Sequence, residues 1–291
     1  MRIKITNDYS TPGFELYAKV IKKNSTDKWD RDVMFLIPGG PGGNHTLYAD
    51  LEDDLLNYTD LVIIDPRGCG YSDNPGVQYC TMDHHIEDIE IVRQRLGISK
   101  PIIHGCSYGS MVALGYAISY PNCLSQLILT SATASGDFIH SAQKNLDKRG
   151  TQEQIDLANV LWKGAFKDAN HFLTYYQAMT PMYFYHPPSM PKHINKDNDL
   201  AFNVALVNYA FQNHIPYFDF RPKLKGVTVP TLIFSGQFDW ITDPEQAQEL
   251  HSKLPNSTLV SFEKCGHFPW KDHYKAPFLR NIEKFLHKAA S

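Results

Sequence analysis

A serine, an aspartate and a histidine stand along this chain in settings that could bring them to one place. The serine lies in Gly105-Cys106-Ser107-Tyr108-Gly109, the aspartate ends Gly236-Gln237-Phe238-Asp239, and the histidine follows a glycine in Cys265-Gly266-His267-Phe268. A serine hydroxyl is a weak nucleophile until a base takes its proton. An imidazole is the usual base, and it works best when a carboxylate fixes its tautomer and stabilises its charged form. The chemistry such a trio supports is attack on a carbonyl carbon, formation of an acyl ester on the serine, and its release by water.

Each position has a plainer reading. The stretch around Ser107 fits G-x-S-x-G, a pattern that a simple tight turn also produces. Its context decides: the apolar run at 101–104 precedes it, and a small-sided helical stretch with Ser110, Ala113, Gly115 and Ala117 follows. A strand passing sharply into a helix projects the serine above the sheet. Asp239 follows the strand-like run at 231–234, whereas its rival Asp243 precedes Pro244 and suits a helix cap. Of the thirteen histidines, His251 falls within a helical pattern and His273 lacks a preceding glycine, so His267 is the expected base. The order Ser, Asp, His is that of one large hydrolase fold class.

A developing oxyanion needs backbone donors. Pro38-Gly39-Gly40-Pro41-Gly42-Gly43 directly follows the apolar run at 33–37, and bare glycine amides there can approach a substrate closely. Gly40 and the Tyr108 amide are the expected oxyanion donors, and Gly39 and Trp240 the expected substrate contacts. A phosphate cradle is the rival, but neither G-x-x-x-x-G-K-[ST] nor G-x-G-x-x-G occurs here. In Asp65-Pro66-Arg67-Gly68-Cys69-Gly70-Tyr71-Ser72, Asp65 and Arg67 are expected to tie a loop to neighbouring backbone, with direct substrate binding by Arg67 as the alternative.

The elements that must position these residues alternate. Strands are expected at 2–6 and 14–22, joined by a turn at Thr11-Pro12-Gly13, then at 33–37, 61–64, 101–104, 127–129, 231–234 and 257–262. Helical patterns fall at 47–56, 82–96, 108–120, 243–254 and 276–288. Short runs apolar on both faces, each followed by a loop and a helix, predict an α/β fold with a mostly parallel, twisted sheet and helices on both faces. The rhythm breaks between 137 and 221, a stretch rich in aromatics and amides with prolines at 181, 187, 188 and 191. We read it as an inserted helical cap, with 1–136 and 222–291 forming the core. Ordinary connecting helices are the alternative.

With these markers in order, the chain resembles the prolyl iminopeptidases of the α/β-hydrolase superfamily. The resemblance rests on the Pro38–Gly43 loop, the Asp65–Ser72 segment, the Ser107 turn, Gly-Gln-Phe-Asp239 and Gly-His267. It implies an α/β-hydrolase fold with a helical cap before the strand carrying the acid, and metal-free release of an N-terminal proline or similar residue from short peptides. The chain departs from the family in having Pro38 where a histidine usually precedes the glycine run. Family members also hold the substrate's amino group with acidic side chains, commonly glutamates. Here 137–221 contains one glutamate, Glu153, and Trp240 follows Asp239; Asp197, Asp199 and Asp219 are the aspartates considered as substitutes.

Composition narrows the classes. Hydrophobic residues make up 43% and charged residues 20%, and the net charge is −3, so neither nucleic acid nor an anionic membrane is an expected partner. No apolar run nears the roughly 18 residues of a membrane span. Five scattered cysteines without a C-x-x-C pair, and an N-terminus without an apolar signal stretch, suggest a reducing cytoplasm. No metal or other cofactor is expected: H-E-x-x-H is absent, and His84 and His85 are adjacent on a helix and read as surface residues. Cys106 is read as packing. The expected partner is a small-molecule or short-peptide substrate, and nothing specifies an oligomeric state. Three functions remain in view: a proline-releasing aminopeptidase, a carboxylesterase or lactonase of small apolar esters, and a non-catalytic ligand-binding homologue.

Overall fold

A computed structural model describes residues 1–5, 13–24, 28–187 and 202–288. Thr11 and Pro12 of the expected turn, Pro188, Pro191, Asp197 and Asp199 lie outside the described residues. The strands are β1 (Arg2–Ile5), β2 (Phe14–Ile21), β3 (Val33–Ile37), β4 (Asp60–Ile64), β5 (Ile102–Cys106), β6 (Gln126–Thr130), β7 (Thr231–Gly236) and β8 (Ser257–Phe262). They form one sheet in the order β1-β2-β4-β3-β5-β6-β7-β8. The two pairings made by β2 are antiparallel, and from β4 to β8 every pairing is parallel.

The helices are α1 (Glu52–Leu55), α2 (Met82–Arg95), α3 (Tyr108–Ser119), α4 (Phe138–Arg149), α5 (Gln152–Trp162), α6 (Ala169–Tyr183), α7 (Val204–Asn213), α8 (Pro244–Lys253) and α9 (Lys275–Lys288). Alternation along the strands splits the core into two layers. Phe35, Ile37, Val62, Ile103, Leu127 and Ile233 pack with α2, α3 and α8. Met34, Leu36, Ile63, Ile128, Leu232 and Phe234 pack with α1 and α9. The central strands β3 to β7 are buried along their whole length, which is why they read as continuous apolar runs; β8, at the edge, is only partly buried. The helical pattern at 47–56 resolves into a 3-10 turn, His45–Tyr48, and the short α1.

Between β6 and β7 the chain runs through α4, α5, α6 and α7. This excursion leaves and rejoins the core at one point. The Gly136 N–H donates to the Phe218 carbonyl (2.9 Å), the Phe220 N–H donates to the Ala134 carbonyl (2.8 Å), and Ser135 bridges Asp219. A long connection whose ends meet costs the sheet little, because neither flanking strand has to move.

The Asp65–Ser72 loop is held from inside. Asp65, fully buried, accepts the backbone N–H groups of His45 (2.7 Å) and Tyr71 (2.9 Å). Arg67 is buried as well: its Nε lies 2.9 Å from Asp88 Oδ2, and its Nη1 donates to the Tyr79 carbonyl at 3.1 Å. Arg67 is thus a strut between this loop and α2, not a substrate contact. Removing one partner of a buried ion pair strands the other charge, at a cost of about 3–5 kcal/mol. Asp88→Ala should therefore lose that much stability in urea unfolding; a loss below 1 kcal/mol would show that the pair is dispensable.

Candidate active site

The parallel strands deliver three loops to one edge of the sheet. β5 ends at Cys106 and α3 starts at Tyr108, leaving Ser107 alone at the turn with φ 55° and ψ −124°. A non-glycine residue there costs about 1–3 kcal/mol and persists only where its surroundings impose it. They do so here. The Ser107 N–H donates to the Thr130 carbonyl (2.9 Å), and the Ser110 hydroxyl donates to the Ser107 carbonyl (2.6 Å). The two glycines of the motif supply clearance: a Cβ on Gly105 would run into the Gly109 carbonyl, and one on Gly109 into the Ile37 carbonyl. The turn is wedged between its own helix and the end of β3.

Asp239 lies in the loop after β7 and is buried. Its Oδ1 accepts the N–H groups of Ile241 (3.0 Å) and Thr242 (3.2 Å), and its Oδ2 accepts the Thr242 hydroxyl at 2.8 Å. The same Oδ2 lies 2.7 Å from His267 Nδ1. Four contacts on one carboxylate fix its position. Asp243, the rival, accepts the Gln246 N–H as the cap of α8.

His267 is buried in the loop after β8, its N–H donating to the Tyr183 carbonyl (2.7 Å) and its carbonyl accepting the Ser131 hydroxyl (2.6 Å). The Tyr183 ring meets the imidazole edge-on at 5.4 Å. Gly266 has no positive φ; its small size matters because a Cβ would strike the Tyr183 carbonyl. A residue that the sequence reading passed over, Asp272, anchors this loop. Fully buried, it accepts the N–H groups of Gly266 (2.7 Å), Tyr185 (2.7 Å) and His186 (2.8 Å), so the end of α6 and the His267 loop share one carboxylate. Its only sequence signal was an aspartate soon after a candidate histidine.

Ser107 and His267 line one cavity of about 320 Å³, together with Gly39 and Gly40 and with aromatic side chains of α6, among them Tyr175, Tyr176 and Tyr183. That volume suits a compact small-molecule group. No aspartate or glutamate is among the described residues lining it, and Lys271, 3.5 Å from Asp50, is its lysine. Trp240 is not part of the lining. It is completely buried against Trp162 (5.9 Å) and Tyr183 (5.8 Å), so the expectation of substrate contact gives way to a packing role behind the cavity wall. Asp219 likewise pairs with Arg221, at 2.7 Å, away from the cavity lining.

The Tyr108 side chain points away from the cavity, with its hydroxyl 2.9 Å from His85 Nδ1. His85 is therefore buried, which corrects the surface reading; that pattern missed the face of α2 packed on α3. Cys106 is buried as packing, and burial pushes its thiol well up.

A family model described as the alpha/beta hydrolase fold matches residues 32–274. The chain belongs to this family. It is 28% identical over 289 residues to a proline iminopeptidase of Thermoplasma volcanium, with 94% of each chain covered. Among solved structures it is similar in fold to a proline iminopeptidase of Mycobacterium smegmatis (TM-score 0.74, 18% identity, 99% of this chain and 98% of that one). A thermophilic esterase of Thermogutta terrifontis is similar as well (TM-score 0.70, 21% identity, all of both chains). Hydrolases are thus this chain's relatives, and among the described residues no helix is long and apolar enough to cross a membrane.

Three buried histidines away from the cavity contribute to the pH dependence of stability. Burial pushes His85 and His104 down to about 3 and His214 down to about 4, against an ordinary 6.5. As pH falls below 6.5 the unfolded chain takes up these protons before the folded chain does. Their contribution is full above pH 6.5 and is lost on the way down toward the folded values. Stability from urea titrations should fall between pH 7 and 5, each histidine adding a slope of up to about 1.4 kcal/mol per pH unit. A flat profile over that range would contradict the buried, neutral state of these rings.

Proposed function

We propose that this protein is a metal-independent serine hydrolase that works through an acyl-enzyme. The observation that supports this most is the buried 2.7 Å contact between Asp239 and His267, on an imidazole that shares its cavity with the strained Ser107. Asp239 holds Nδ1 protonated, which leaves Nε2 free to take the Ser107 proton as the hydroxyl attacks a substrate carbonyl. The amides of Gly40 and Tyr108 receive the oxyanion; Gly40 lines the cavity and Tyr108 is the first residue of α3, where free amides and the helix dipole favour negative charge. His267 then protonates the leaving group and activates the water that frees the acyl group. The aromatic helices inserted before β7 act as a cap that shapes the acyl pocket.

For the substrate, the full-length likeness to proline iminopeptidases favours a short peptide with an N-terminal proline or small residue. A second reading, a carboxylesterase or lactonase of small apolar esters, is favoured by the lack of a carboxylate among the described lining residues. A protonated amine leaving water needs a partner charge.

Ser107→Ala should abolish turnover, by on the order of 10⁶-fold, while the protein stays folded, and Asp239→Asn should cost about 10⁴-fold. Retained turnover in the alanine variant would refute the assignment. Rates for a proline anilide, its N-acetylated form and a short p-nitrophenyl ester, run side by side, separate the substrates. A free-amine anilide cleaved far faster than its acetylated form identifies the aminopeptidase, and fast ester cleavage with both anilides inert identifies the esterase.

A further inference from the structure

Among the polar groups of the cavity wall without a role in the mechanism above, a tyrosine hydroxyl stands out. Tyr176, on α6, lines the cavity that holds Ser107 and His267. Its ring is clamped by Phe172 (5.2 Å, edge-on), Phe202 (5.4 Å) and a parallel Tyr183 (6.0 Å, 10°). The neighbouring hydroxyls of Tyr175 and Tyr183 satisfy each other at 2.9 Å. Among the described residues, no hydrogen-bond partner faces the Tyr176 hydroxyl. A phenylalanine would fill the same aromatic clamp without placing a hydroxyl in the cavity wall. Burial, with the Cys106 sulfur nearby, pushes its phenol up, so the group is a neutral donor and acceptor at physiological pH.

We propose that the Tyr176 hydroxyl is the specificity-determining polar contact of the acyl pocket, hydrogen-bonding a heteroatom that the substrate carries beside its reacting carbonyl, such as the ring N–H of a prolyl group. The assignment rests on the acyl-enzyme reading. A site that hydrogen-bonds such an atom disfavours an analogue without it, because its own polar group is then stranded.

The test compares p-nitrophenyl esters of proline and of cyclopentanecarboxylic acid, which differ in that one ring atom. The readout is the ratio of their kcat/KM values in the wild type and Tyr176→Phe, with thermal melts confirming folding. Tyr176→Phe should lower the proline-to-cyclopentane ratio about ten-fold or more. A purely structural role for Tyr176 would lower both rates together. An unchanged ratio in Tyr176→Phe, with both esters still hydrolysed, overturns the assignment and leaves the acyl-enzyme reading intact. Failure of the wild type to hydrolyse either ester overturns both.

Discussion

The close packing of the Ser107 turn against the end of β3 is the constraint on which the rest of the site depends. With Ile37 opposite Gly105 in the sheet and no room for a side chain at Gly109, the backbone of the turn meets the backbone of the loop that begins at Pro38. Two consequences follow from that one contact. The serine is driven into a left-handed conformation that lifts its side chain off the sheet, and Gly39 and Gly40 are brought to the same cavity wall. The strain is local, and the parallel sheet, buried on both faces, sustains it.

The helices between β6 and β7 are joined to this centre by more than their position in the chain. The end of α6 accepts the His267 N–H through the Tyr183 carbonyl, packs Tyr183 against the imidazole, and shares the buried Asp272 with the His267 loop. On the proposed mechanism, the wall that shapes the acyl pocket and the loop that carries the base are thus one hydrogen-bonded unit. Changes in α6 reach the imidazole through two or three contacts, so substrate fit and base position are not independent.

Much of this could be read from residue types. The central strands showed because parallel strands buried on both faces must be apolar throughout; Ser107 and Asp239 each follow such a run, while His267 follows the partly buried edge strand and was picked out by its preceding glycine. Distance in sequence was no obstacle, since the sheet places all of these strand ends on one edge. What stayed hidden depended on contacts between elements. Trp240 was read as a substrate contact from its place beside Asp239, yet the rings of Trp162 and Tyr183 claim its side chain. His85 was read as exposed, though α2 turns it onto Tyr108. Asp272 works through three backbone N–H groups, two of them from a distant helix end, and no local pattern records that. The region of 137–221 declared itself helical and aromatic, while the particular role of each ring, Tyr176 above all, emerged only from its neighbours.

The central claim is that His267, held by Asp239, makes the Ser107 oxygen nucleophilic. Covalent labelling of the folded protein with a fluorophosphonate, followed by peptide mapping, tests it most directly. The account predicts one adduct, on Ser107, whose formation slows sharply in His267→Ala. An adduct on a different residue, or a folded wild-type protein that takes no label, would contradict it.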